Sequence, residues 1–187
     1  MTEVTFVSTN PGKFREIREL LAPYGVRARW RRRRLPEPQA ETLEEVVVAK
    51  LSAVRDISGT VIVEDSGLFI PALEGFPGVY SAHFLKTWKF GPILELLEHR
   101  DRRAFFRTVA GVARGPRRSL FRGEVSGSIA RAPAGDHGFG YDPIFIPTGW
   151  RQTLAEASPE EKNSISHRAR AFQKVGRALA RRSPGRP

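Results

Sequence analysis

The stretch Val4-Thr5-Phe6-Val7-Ser8-Thr9-Asn10-Pro11-Gly12-Lys13-Phe14 decides the fold. Val4 to Val7 is a short apolar run rich in β-formers. Phe14, Ile17, Leu20 and Leu21 then recur at helical spacing, so the chain leaves a strand and enters an amphipathic helix. Pro23 and Gly25 end that helix. The loop between them, Ser8 to Lys13, aims backbone N–H groups and the positive end of a helix at whatever lies above it, an arrangement suited to phosphate. Ser8, Thr9, Asn10 and Lys13 add side-chain donors. The G-x-x-x-x-G-K-[ST] pattern of a Walker loop is absent. Taken alone, an Asn-Pro-Gly turn reads equally well as a plain turn.

Outward from this unit, strands and helices mix without strict alternation. Thr42 followed three residues later by Glu45 is a capping box opening a second helix. Val61 to Val63 is a brief apolar strand running into Glu64-Asp65. A helix is expected over about 92–99, with Ile93, Leu94 and Leu97 as its stripe. Residues 104–113 and 119–129 read as strands joined through Gly115-Pro116, a hairpin signal. Ser158-Pro159-Glu160-Glu161 caps and starts another helix. The expectation is an α/β protein around a twisted, partly antiparallel sheet, folded as a single domain over 1–180 with two lobes. The basic stretch 181–187 reads as a frayed tail.

Composition narrows the chemistry. A length of 187 residues supports one sizeable core. With no cysteine in the chain, disulfides, thiolate metal sites and thiol nucleophiles are excluded, and a reducing cytoplasm is the expected compartment. No segment has the length or apolarity of a membrane span or signal peptide, so no membrane association is expected. The net charge of +11 favours polyanionic partners. The densest run, Arg29 to Arg34 interrupted by Trp30, reads as a solvated segment after a strand. It lacks the aromatic interleaving of a single-strand binding groove, so nucleic-acid binding is the weaker reading.

Four further places carry candidate chemistry. Lys50 falls seven residues after Leu43, on the apolar face of the helix opened by Thr42, and must either snorkel or meet an anion. Glu64-Asp65-Ser66-Gly67 reads as the carboxyl end of a strand, where acidic oxygens suit Mg²⁺. Strand alternation sends Glu64 and Asp65 to opposite faces, so a second ligand should come from elsewhere. Gly138-Phe139-Gly140-Tyr141-Asp142 lets backbone approach a flat ligand, with Phe139 able to stack on a base. In Lys162-Asn163-Ser164-Ile165-Ser166-His167-Arg168, a continuous helix would aim His167 away from Lys162 and Arg168. All three can serve one ligand only if the helix breaks and restarts with Ser166 as a new N-cap. Several cations, a few acids suited to one metal and a stackable aromatic describe nucleoside triphosphate hydrolysis by an activated water better than acyl transfer or redox chemistry.

Five motifs stand together in order: Ser-Thr-Asn-Pro-Gly-Lys at 8–13, Glu-Asp-Ser-Gly-Leu at 64–68, Phe-Pro-Gly-Val-Tyr-Ser-Ala at 76–82, Gly-Phe-Gly-Tyr-Asp-Pro at 138–143 and Ser-Pro-Glu-Glu-Lys-Asn-Ser-Ile-Ser-His-Arg at 158–168. In these the chain resembles the inosine triphosphate pyrophosphatase family. The resemblance implies an elongated two-lobed α/β fold around a long mixed sheet with a central cleft, a homodimer, and Mg²⁺-dependent cleavage of ITP, dITP and XTP to monophosphate and pyrophosphate. It implies that Ser8, Thr9, Asn10, Lys13 and Lys50 meet the triphosphate, and that Asp65 is both proton acceptor and metal ligand, with Ser66 beside the substrate. Glu37 would be a second metal carboxylate. Phe139, Gly140, Tyr141 and Asp142 would hold the base, and Lys162, His167 and Arg168 would complete the site. Glu64 stands where many relatives carry aspartate, and the resemblance assigns it no role. Two other readings remain to be weighed: a pyrophosphatase for pyrimidine or modified nucleotides, and a nucleic-acid-binding protein using the arginine-rich surface.

Overall fold

Asn10 sets the first turn of the structure: its side-chain oxygen accepts from the Lys13 amide at 3.1 Å and caps α1 (Pro11–Leu21) directly after β1 (Thr2–Val7). Pro11 takes the first helical position, where its missing N–H costs nothing. This computed structural model describes residues 2–180, so the stretch 181–187 expected to be a tail lies outside the described residues. After α1 the chain turns through Gly25, at φ 67°, into β2 (Val26–Arg31), which pairs parallel with β1 from Thr2↔Val26 to Val7↔Arg31. Helix α2 (Leu43–Ser52) opens with the expected capping box, Thr42 and Glu45 each bonding the other's backbone. Next come β3 (Thr60–Phe69), α3 (Ser81–Trp88) and α4 (Gly91–Leu96). The hairpin β4 (Arg103–Arg114) and β5 (Arg117–Ile129) turns at Gly115-Pro116, and β6 (Phe145–Pro147), α5 (Pro159–Ile165) and α6 (His167–Ala180) complete the described chain.

The six strands form one mixed sheet in the order β2-β1-β3-β4-β5-β6, parallel where β1 meets β2 and β3, antiparallel where β5 meets β6. An α/β fold with a mixed sheet and flanking helices is what the sequence indicated. By its internal packing the chain forms two compact units. Among the described residues the first comprises 2–65, Thr108–Gly123 and 168–180. Its core gathers Val4 and Phe6 of β1, Val26 and Ala28 of β2, Ile62 of β3, Ala110 and Val112 of β4, Ile17, Leu20 and Leu21 of α1, and Ala169, Phe172 and Val175 of α6. These strand positions are all even-numbered, so α1 and α6 cover one face of the sheet. On the other face lies α2: a Cβ on Gly111 of β4 would come within 2.6 Å of Val47 Cγ1 and 2.9 Å of Leu51 Cδ1. The missing side chain is what lets this helix close on the strand. The second unit, Ser66–Arg107 with Glu124–His167, has its own core of Leu68, Ile70, Ile93, Leu97, Phe106, Val125, Ile144 and Phe145.

Three sequence expectations are corrected. The third strand does not stop at Val63 but continues through Glu64 and Asp65 to Phe69, because cationic partners described below neutralise both acids. The helix expected over about 92–99 spans only Gly91–Leu96 and follows an unforeseen α3. The arginine run begins inside β2 rather than after it. As an edge strand β2 buries Val26 and Ala28 while Arg27, Arg29 and Arg31 alternate with them and stay exposed. Arg29 meets Glu3 at 2.8 Å, and Arg33 meets both oxygens of Asp56 at 2.8 Å.

Candidate active site

Within the first unit, β3 presents its two acids to opposite faces, as alternation requires. Glu64 shares the parity of Ile62 and faces the α1–α6 side, where Lys13 makes an ion pair with it. Arg168, at the start of α6, is the largest fully buried side chain, and its guanidinium bonds Glu16 of α1 at 2.6 Å, with Nε 3.7 Å from Glu64. Asp65 faces the α2 side. There the buried Lys50 ammonium donates to Asp65 Oδ1 at 2.6 Å and to the Glu64 carbonyl at 3.4 Å, with Glu37 Oε1 3.6 Å away. The lysine on an apolar face has therefore met an anion rather than snorkelled.

Burial pushes the Asp65 carboxyl above the ordinary carboxylate value, against the opposing pull of Lys50 and Lys13. Burial alone would lower Lys50, but the charges of Asp65, Glu64 and Glu37 and the hydrogen bond to Asp65 outweigh it and raise it. The result is a protonated ammonium beside a carboxylate that is more basic than usual, the property wanted of a group taking a proton from water. Asp65 and Glu37 converge on one cationic atom and offer only hard oxygen ligands. Among the described residues no group of three or more His, Asp or Glu side chains surrounds a metal position. That donor set fits Mg²⁺, which commonly takes one or two carboxylates together with substrate phosphates and water.

The phosphate-loop candidates sit at the β1–α1 junction. Ser8 Oγ accepts from the Asn10 amide at 3.1 Å, and Asn10 in turn caps Lys13. Thr9 is exposed between them.

The second unit holds a separate constellation. Lys162 and Asp142 form a buried ion pair at 2.6 Å, and Asp142 Oδ2 also accepts from the Phe139 amide at 2.7 Å. Lys162 Nζ lies 4.8 Å from the centre of the Phe139 ring. Gly138 adopts φ 74°, and a Cβ there would fall 2.3 Å from the Asp142 carboxylate, so the turn 138–142 closes only around glycine. Gly140 also adopts φ 74°. Tyr141 belongs to the core: its hydroxyl donates to the Ser81 carbonyl at 3.0 Å, and burial pushes its phenol upward. Its side chain is thus a scaffold for the turn. Ser66 is half-buried one residue after Asp65.

The helix break at Ser166 is present. Ser166 is extended, at φ −62° and ψ 157°, ending α5 and preceding α6, which starts at His167. His167 is buried and stacks on Phe106, with ring centres 4.5 Å apart and planes at 15°. Two contributors escaped the sequence reading. Glu16 lies three residues after Lys13, a spacing that puts both on one side of α1 and could have revealed it. Phe106 gave no signal beyond its place in an apolar strand.

The family model of the Ham1 family matches residues 4–178. A dITP/XTP pyrophosphatase of Thermococcus kodakarensis is 47% identical over 179 residues, covering 94% of this chain and 96% of the relative. One from Methanopyrus kandleri is 46% identical over 176 residues, covering 92% and 93%. Among solved structures, a HAM1 protein from Coxiella burnetii superposes with a TM-score of 0.83 at 31% identity, covering 97% of this chain and all of that one. The Staphylococcus aureus Ham1 protein gives 0.80 at 32% identity, covering 95% and 98%.

Proposed function

We infer the function of this chain from its kinship: it belongs to the Ham1 family. It hydrolyses noncanonical purine nucleoside triphosphates, namely ITP, dITP and XTP, to monophosphate and pyrophosphate, and so cleanses the nucleotide pool. The observation that carries this reading is the buried Asp65, made more basic by its surroundings and set beside Lys50 and Glu37. Such a carboxylate takes a proton from the attacking water. Lys13, Lys50 and the amides of the Ser8–Lys13 loop stabilise negative charge as it develops on the phosphates, with Ser8, Thr9 and Asn10 shaping that loop. Asp65 and Glu37 would hold Mg²⁺, which supplies charge neutralisation at the phosphates when bound.

The turn Phe139–Asp142 holds the base, with Phe139 stacking and Asp142 and Lys162 fixing the turn. His167 and Arg168 provide donors for a 6-oxo purine, and Ser66 lies beside the substrate. Adenine, with an amine where these donors expect oxygen, leaves one buried donor unpaired, worth about 1–3 kcal/mol of discrimination. Among the described residues no helix is long and apolar enough to cross a membrane, and a cytoplasmic homodimer is the form we propose.

The test is pyrophosphate release from ITP, XTP, ATP and GTP with Mg²⁺, for the wild type and Asp65→Asn. Selective release from ITP and XTP that disappears in the variant supports the reading. Folded protein that releases nothing from any of the four overturns it.

A further inference from the structure

Trp30 matches none of the five motifs and sits on the edge strand β2, 38% exposed, where a large aromatic gains little from burial. Its ring stacks on Phe14 of α1, with centres 5.3 Å apart and planes at 14°. Its indole N–H donates to the Ser8 carbonyl at 2.8 Å, across 22 positions of sequence. The Ser8 amide in turn donates to the Arg31 carbonyl at 3.3 Å. Strand β2 therefore grips both backbone ends of Ser8. From Ser8 the chain of bonds continues: its Oγ accepts from the Asn10 amide, and the Asn10 side chain accepts from the Lys13 amide. A single run of hydrogen bonds thus links the indole to the first turn of α1, entirely within one compact unit.

We propose that Trp30 is a positioning residue for triphosphate binding, holding the Ser8–Lys13 loop in its anion-receiving shape from outside the loop. This rests on the reading of that loop as the phosphate site. Trp30 touches no substrate. It acts through Ser8, whose carbonyl orientation fixes the next peptides and hence the direction of the amides at the helix start. Without the indole, the loop samples conformations in which those amides diverge, and binding then bears the cost of reordering them.

Trp30→Phe tests this, because it keeps a six-membered aromatic ring to stack on Phe14 while removing the five-membered ring that carries the N–H donor. Two quantities are compared with the wild type: KM and kcat for ITP, and calorimetric affinity for inorganic tripolyphosphate. The expected result is about a fivefold rise in both KM and the tripolyphosphate Kd, the equivalent of one net hydrogen bond. The kcat should stay within about twofold, the pattern of a lost binding contribution. A merely structural role would lower the active fraction and kcat while leaving KM in place. Trp88→Phe, at an exposed tryptophan of the other unit, should change neither. Unchanged affinity in Trp30→Phe, or a wild type that binds no tripolyphosphate, overturns the proposal. A wild type that binds tripolyphosphate more tightly than Trp30→Phe yet hydrolyses no nucleotide overturns the pyrophosphatase reading and leaves this one standing.

Discussion

Replacing Glu64 by glutamine probes the charge network beneath β3. The Glu64 side chain is 1% exposed, and it faces Lys13 at 18% and Arg168 at 2%. Glutamine keeps the shape and one acceptor oxygen but removes the negative charge between two cations. Breaking a buried ion pair from one side costs about 3–5 kcal/mol. Arg168 retains Glu16 at 2.6 Å, which places the expected loss at the lower end, about 3 kcal/mol. For a chain of 187 residues each kcal/mol moves Tm by about 2–4 °C, so the midpoint should fall by about 6–12 °C. Thermal unfolding followed by far-ultraviolet circular dichroism at neutral pH measures it. Asp101→Asn, at an exposed pair with Arg103, serves as the reference and should leave the midpoint where it was. If Glu64→Gln melts with the wild type, the network is not holding α1, β3 and α6 together, and the account of why β3 runs through two acids is wrong.

Other perturbations test the site and the scaffold. Asp65 must be ionised to accept a proton, so activity is present above its pKa and lost as pH falls through it; since burial raises that pKa, the acidic limb of kcat/KM should lie above the ordinary value of 3.8. In Lys50→Met the residual activity should show this limb displaced further upward, because the Lys50 charge pulls the carboxyl down; a limb that stays put or moves to lower pH contradicts the pairing. Chelation with EDTA should abolish pyrophosphate release and added Mg²⁺ restore it, whereas persistence in chelator would remove Asp65 and Glu37 from a metal role. Thr42→Ala deletes one half of the α2 capping box and should cost about 1 kcal/mol in urea unfolding with KM for ITP unaltered; an equal loss from Ser119→Ala, at an exposed strand position, would show that the cap is not the cause.

Local chemistry was legible wherever the determining partner lies a few residues away. Thr42 and Ser158 cap the helices they were expected to cap, and the Gly115-Pro116 hairpin turns where expected. The break at Ser166 could be reasoned out because one helical wheel cannot aim Lys162, His167 and Arg168 together. Lys50 was identifiable by its spacing, though its partner Asp65 was not. What the sequence hid depends on distant partners. Glu64 and Asp65 look like the end of a strand until Lys13 and Lys50 are known to face them. Arg168 was read as a site cation, but its ion pair with Glu16, 152 positions away in sequence, gave no local signal. Three-residue β6 is too short to show a period of two, and α3 is a helix of 8 residues with no side-chain cap to mark its start.

The patchwork make-up of the first unit bears on how the protein emerges from the ribosome. Its core is begun by Val4 and Phe6 of β1 and by Ile17, Leu20 and Leu21 of α1, but it is completed by Ala169, Phe172 and Val175, so β1 waits for α6 before its face is fully covered. Until then the share of Val4, Phe6, Val26, Ala28 and Ile62 that α6 covers, rather than α1, stays open on the nascent chain. Contacts of this sequence separation form slowly and leave half-made chains open to association. Premature termination anywhere before α6 should therefore yield a product that needs a chaperone or a protease, however completely the second unit has been synthesised.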